Sequence, residues 1–187
     1  MTVYAVIMIQ FILLGFLNYQ PSTGYDLKQL IDNSTSHFWH AHHSQIYTTL
    51  RKMEAEGLVT SVLVQEESVP DRRVYSITAA GQQTLDEWLG QSMTETARIK
   101  EELLVRIFFS ARRDPQEVLA ELHLQRQLHQ EKLKAYKHIV NTIPHIDKKP
   151  GMEKDPVFWK ATLEMGMRFE EMYLDWLNDT IQTIENL

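Results

Sequence analysis

Apolar residues crowd the start of the chain. From Val3 to Leu17 only Gln10 and the small Gly15 interrupt them, and no charged residue occurs before Asp26. The run is shorter than the roughly 20 apolar residues that span a bilayer. It also has neither the positive flank nor the small-residue cleavage site expected of a secretory signal. It predicts a helix over Val3–Asn18 that is apolar on nearly every face and therefore needs cover on nearly every face. Gln20-Pro21-Ser22 breaks this helix. Ser22 or Thr23 can cap a second one running to about Ile31, with Tyr25, Leu27, Leu30 and Ile31 as its apolar positions. A polar connection, Asp32 to Ser36, leads to Phe38 and Trp39, which are expected to anchor the turn in the core. A third helix is predicted from about Ser44. Its Ile46, Leu50 and Met53 lie at i, i+4 and i+7 on one face, and Gly57 closes it.

The period then changes. Leu58–Val64 and Val74–Ile77 are rich in β-branched residues, and the polar stretch Gln65–Arg73 between them reads as the tip of an antiparallel hairpin. Thr78 caps a fourth helix that carries Leu85, Trp88 and Leu89 and ends near Gly90. Three helices, a two-stranded hairpin and a fourth helix, in that order, make a winged helix-turn-helix. The third helix is its recognition helix and the hairpin its wing.

Beyond Met93 the strand signal nearly vanishes. Ile99–Ser110 predicts a short helix with Leu103, Leu104, Ile107 and Phe108. Asp114-Pro115-Gln116-Glu117 is a strong helix start, and no breaker follows until Pro144. Along that helix Leu119, Leu122, Arg126, His129, Leu133, Tyr136 and Val140 form a heptad seam with two polar members, a pattern that fixes helix register. A breaker-rich linker containing Lys148-Lys149-Pro150-Gly151 follows, and Asp155-Pro156 opens the last helix. One face of that helix holds Trp159, Leu163, Gly166, Tyr173, Leu177 and Ile184; another holds Phe158, Met165, Phe169, Met172 and Trp176. Two apolar faces both need burial, so this half is expected to dimerise. The fold class is mainly α: a winged helix-turn-helix with a two-stranded wing over residues 1–92, then an all-helical dimerisation domain over 93–187.

Composition narrows the function. Of 187 residues 43% are hydrophobic and 24% charged, an ordinary globular balance. The net charge of −6 argues against indiscriminate coating of nucleic acid, yet leaves site-specific binding open, since that needs only a local basic face. The absence of cysteine removes thiol nucleophiles, disulfides and Cys-based zinc sites, and fits a reducing compartment such as the cytoplasm. There is no Gly-rich phosphate loop, no Gly-x-Ser-x-Gly elbow and no His-Glu-x-x-His, so no catalytic residue and no cofactor is expected.

The candidate chemistry lies on the third helix. With Ile46, Leu50 and Met53 inward, the outer face carries Ser44, Gln45, Thr48, Arg51 and Lys52. Gln suits adenine, Arg and Lys suit guanine or phosphate, and hydroxyls suit phosphate oxygens; the Tyr47 hydroxyl can also bond a phosphate. A solvated polar face is the plain alternative. Arg72 and Arg73 on the wing's return strand can lie along the backbone or enter a narrow minor groove, or else serve to discourage strand pairing. His37, His40, His42 and His43 cluster just before the recognition helix, but their spacing matches no ligand motif; they read as phosphate donors rather than a metal site. On the last helix, Trp159, Phe169, Met172 and Trp176 read as core or as the lining of a pocket for an apolar or aromatic effector.

Several short motifs fall in a distinctive order: Leu14-Gly15-Phe16-Leu17, Gly24-Tyr25-Asp26-Leu27, Phe38-Trp39, Gln45-Ile46-Tyr47, Leu50, Glu56-Gly57-Leu58-Val59, Arg72-Arg73-Val74-Tyr75 and Thr78-Ala79-Ala80-Gly81. Over about residues 5–90 the chain resembles the PadR family of transcriptional regulators. The remainder resembles, by pattern, the longer C-terminal domain of the branch akin to virulence-activator regulators. The resemblance implies a homodimeric repressor that binds double-stranded operator DNA and often answers a small molecule. The wing tip departs from the family's Gly-Arg-Pro-like turn and reads Ser68-Val69-Pro70-Asp71. The rival reading is a winged-helix module for protein contacts without DNA binding, which would expose apolar residues on the third helix.

Overall fold

The computed structural model describes residues 3–35, 38–66, 69–96, 100–142 and 152–187. They divide into two compact units, Met1–Thr96 and Ala97–Leu187. No helix among the described residues is long and apolar enough to cross a membrane.

The first unit runs α1 (Val3–Tyr19), β1 (Ser22–Thr23), α2 (Gly24–Leu30), a π-helical turn (Ile31–Thr35), α3 (His43–Ala55), β2 (Val59–Glu66), β3 (Val69–Ile77) and α4 (Ala79–Leu89). Ile9, Leu13, Leu14 and Leu17 of α1 are buried with Leu27, Ile31, Ile46, Leu50, Met53, Val59, Tyr75 and Leu85. Phe11 stacks on Trp88 with ring centroids 4.3 Å apart, which pins α4 to α1. Among its described side chains α1 buries mainly one stripe, and Ile7 stays exposed.

One alternative is decided and three expectations change here. Thr23, not Ser22, caps α2: its hydroxyl accepts from the Asp26 amide and Asp26 Oδ2 accepts from the Thr23 amide, each at 3.1 Å. The connection expected over Asp32–Ser36 is helical through Thr35, because the chain continues α2 as a π turn. Phe38 is 55% exposed, so only Trp39 of that pair packs on the core. The hairpin is longer than its β-branched residues suggest, because cross-strand pairing extends past Val64 to Glu66↔Val69 through a register shift. Ser22 and Thr23 add a third, two-residue strand beside Tyr75 and Val74, giving the order β1-β3-β2. Residue Ser68 at the wing tip lies outside the described residues, as do His37 and the linker Lys148–Gly151.

The second unit holds α5 (Glu102–Phe108), a 3-10 turn (Ser110–Arg112), α6 (Pro115–Thr142) and α7 (Asp155–Glu185). The predicted short helix is thus split, the Phe109 amide turning back to Arg106. Asp114 caps α6 by accepting from the Gln116 amide at 3.0 Å. Asp155 lies within the first turn of α7, and the cap position is Lys154. Antiparallel α6 and α7 bury Val118, Leu119, Leu122, Tyr173, Leu177 and Ile181, with Leu103 from α5. Glu121 ties the smaller elements on, receiving Arg113 at 2.7 Å and Arg106 at 3.4 Å.

Candidate nucleic-acid interface

The ends of α3 are set by local chemistry. At its start the His42 amide donates to Gln45 Oε1 at 2.9 Å, and the helix begins at His43, one residue before the start expected at about Ser44. At its end Gly57 adopts φ +73°, open to a residue without a Cβ. The amides of Gly57 and Leu58 then donate to the carbonyls of Glu54 (3.1 Å) and Met53 (2.9 Å). The Thr78 hydroxyl donates to the Gly57 carbonyl at 2.7 Å and accepts from the Gly81 amide at 3.1 Å. Gly81 comes so near that a Cβ there would lie 2.2 Å from the Leu58 carbonyl oxygen. The Glu56–Val59 and Thr78–Gly81 motifs therefore lock α4 to the corner between α3 and the wing.

Ile46, Leu50 and Met53 are fully buried and joined by Thr49, which completes the i, i+3, i+4, i+7 face. Ser44, Tyr47, Thr48, Arg51 and Lys52 are exposed, and Gln45 is half-buried. The Tyr47 ring packs on α2 at Gly24, where a Cβ would meet it at 2.6 Å. Arg51 Nε donates to the Tyr47 carbonyl at 3.3 Å, and Lys52 pairs with Glu56 at 3.7 Å. His40, His42 and His43 are exposed, and among the described residues no group of three or more acidic or histidine side chains is placed to hold a metal ion.

The two wing arginines part ways. Arg72 pairs with Val64, and Arg73 with Leu63, so strand alternation puts them on opposite faces. Arg72 shares its face with Val62 and Val74. Arg73 shares the inner face with Ser61 and buried Tyr75, and its Nη1 reaches Glu54 Oε2 on α3 at 3.3 Å. The Ser61 hydroxyl donates to the other Glu54 oxygen. Burial pushes the Tyr75 phenol above its ordinary pKa, against the opposing pull of Arg73.

In the second unit a polar cluster spans α6 and α7. Glu170 is 1% exposed. One of its oxygens meets His129 Nδ1 and the other meets Lys132 Nζ at 3.1 Å. The His129 ring stacks on Tyr173 with centroids 4.0 Å apart. Burial works to lower the Lys132 pKa, but its hydrogen bond and attraction to Glu170 outweigh that and leave it raised. Burial raises Tyr136, and it pushes Tyr173 up to about 12 with help from the Glu101 and Glu170 charges. Arg126, the other polar seam residue, reaches Asn178 at 3.3 Å instead. A hydrophobic reading of α7 passes over Glu170, although its spacing from Leu163, Gly166, Tyr173 and Leu177 places it in the same seam.

The four aromatic and Met candidates of α7 are divided. Trp176 packs on the core, edge-on to Tyr173 at 5.3 Å, and Trp159 is partly buried. Phe169 and Met172 are exposed, along with Phe158 and Met165, so all of the second apolar face of α7 except Trp176 is uncovered within one chain. A hollow of about 380 Å³ in this unit is lined by Gln116, Leu119, Ala120, His123 and Glu185, none of them among those candidates.

A three-helix core, a wing and a polar outer helix face define a winged helix-turn-helix regulator. Residues 13–87 match the family model described as the transcriptional regulator PadR-like family, and residues 99–185 match that of the virulence activator alpha C-terminal domain. Together these matches take in most of the chain: a PadR-like transcriptional regulator domain comes first, and a virulence-activator C-terminal domain follows it. A probable transcriptional regulator of Mycobacterium tuberculosis is 28% identical over 177 residues, covering 89% of this chain and 92% of that one. The negative transcriptional regulator PadR of Bacillus subtilis is 25% identical over 183 residues, covering 95% and 98%. The crystal structure of that PadR with operator DNA shares the fold, with a TM-score of 0.81 at 22% identity over 95% of this chain and 99% of the other. Its structure with p-coumaric acid gives 0.76 at 22% identity over 99% and 98%.

Proposed function

We propose that this regulator binds a specific duplex operator as a homodimer, represses transcription there, and is released by a small aromatic or apolar ligand. The observation that carries the reading is the outer face of α3. Burial of Ile46, Thr49, Leu50 and Met53 turns Ser44, Thr48, Arg51 and Lys52 outward, with Gln45 at the helix start. These are groups that read base edges and hold phosphates. Tyr47 is the one large ring on that face, and it is half committed to Gly24. Arg72, on the outer face of the wing, adds a cation for the DNA backbone.

The dimer rests on the exposed Phe158, Met165, Phe169 and Met172 of α7, an apolar strip that a second copy would cover. Two recognition helices then call for a pseudo-palindromic operator with half-sites about one turn, or roughly 34 Å, apart. Repression and an aromatic effector follow the Bacillus subtilis relative, a negative regulator whose structures include operator DNA and p-coumaric acid. The proposed ligand contacts are Trp159, Phe169, Met172 and Trp176, because a molecule that prefers one packing of these helices shifts DNA affinity by that preference. The reading calls for no catalysis and places the protein in the cytoplasm.

Selection from random-sequence duplex DNA, followed by footprinting upstream of the protein's own gene, tests the proposal. A preferred palindromic site whose affinity falls steeply with salt supports it. Failure to enrich any sequence at low salt refutes it.

A further inference from the structure

Glu54 is absorbed by neither the core nor the polar outer face of α3, yet it joins three elements. It stands on α3, its Oε1 accepts from Ser61 of β2, and its Oε2 receives Arg73 of β3 at 3.3 Å. Tyr75 lies on the same inner face of the hairpin, where the Arg73 charge works against the rise in its phenol pKa. Arg73 is thus engaged by Glu54 on the inner side, whereas its neighbour Arg72 is turned to the other face by strand alternation. Beyond Tyr75 the hairpin passes the buried core: Val62 and Leu63 are exposed, so apolar packing does little to hold its outer half. The carboxylate of Glu54 links α3 to both strands of the hairpin there.

We propose that Glu54 is the positioning residue that sets the wing against the recognition helix, and that Arg73 serves Glu54 rather than a DNA phosphate. The inference rests on the DNA-binding reading, because the angle matters where helix and wing must meet one duplex together. It runs against simple electrostatics. A carboxylate near DNA repels phosphate, so removing it should tighten binding unless its placement of the wing matters more.

The test uses the full chain and three variants: Glu54→Gln, Arg73→Gln and the two combined. Hydrogen exchange of the amides of residues 61–65 and 71–76 is followed without DNA. Affinity for a duplex selected from random-sequence DNA by the parent protein is followed across a range of salt. Each single change should speed exchange in the hairpin and weaken binding about two- to fivefold, the range an exposed ion pair commands. The double variant should lose no more than either single one, since both remove the same tie. The slope of log affinity against log salt should stay unchanged. Unaltered exchange overturns the proposal, and so does tighter binding by Glu54→Gln. A slope flattened by roughly 0.9 in Arg73→Gln also overturns it, because that is the mark of one lost phosphate contact. If the parent protein selects no duplex, the DNA-binding reading fails, and the exchange measurements still decide whether Glu54 holds the wing.

Discussion

His129 on α6 and Glu170 on α7 bond side chain to side chain across the helix pair, with the carboxylate shut away from water. A buried carboxylate is costly unless partnered, and Lys132 alone, half exposed, covers only one of its oxygens. His129→Ala should therefore lower stability by about 3 kcal/mol. The paired replacement His129→Leu with Glu170→Leu should recover most of that loss or exceed the parent, because it removes the desolvated charge altogether. Urea unfolding of the three proteins checks the order. A double variant no better than His129→Ala would show that the pair itself stabilises the helices.

Tyr173 carries a pH prediction. Its phenol is held up to about 12 in the folded chain, against 10.0 for an ordinary tyrosine. Between those values the unfolded chain has released a proton that the folded chain keeps, so stability is full below pH 10 and declines as pH rises toward 12. Tyr75 and Tyr136, also raised by burial, act in the same direction. Tyr173→Phe should soften the alkaline decline in melting temperature over that window while leaving the neutral region without a new pH dependence.

The glycines separate two roles. Gly81→Ala would set a Cβ 2.2 Å from the Leu58 carbonyl, backbone that cannot step aside, and should cost about 1–3 kcal/mol. Gly15→Ala, in the middle of α1 with nothing within 4 Å of the added carbon, should stabilise by about 0.5–1 kcal/mol. Thermal melts of both variants give the two signs.

Arg51→Ala should weaken operator binding by about 1–3 kcal/mol and relax preference at one base pair of each half-site, the signature of a base contact. Arg72→Gln should weaken binding evenly across sequences and flatten the salt dependence, as loss of a phosphate contact does. Binding-site selection repeated with each variant distinguishes them.

Met172→Glu, on the uncovered face of α7, should shift sedimentation from dimer to monomer at micromolar concentration while helical content stays. A variant that remains dimeric would place the subunit interface elsewhere.

Much of the fold is legible from the chain alone, for local reasons. The spacing of Ile46, Leu50 and Met53, the glycine at 57 and the threonine at 78 each determine their element within a turn or two, since periodicity and capping are short-range physics. Length and order then leave few alternatives to a winged helix-turn-helix. Tertiary structure decided what distance along the chain hides. Arg72 and Arg73 are indistinguishable in sequence, yet strand register sends one to the outer face and the other to Glu54. Ser22 and Thr23 look like a helix cap and nothing more, until β3 arrives beside them. Glu170 is a charge that a hydrophobic count passes over, and only the approach of α6, bringing His129 and Lys132, makes its burial tolerable. Short-range propensity set the elements, and the pairing of residues tens of positions apart set which faces, charges and carboxylates met.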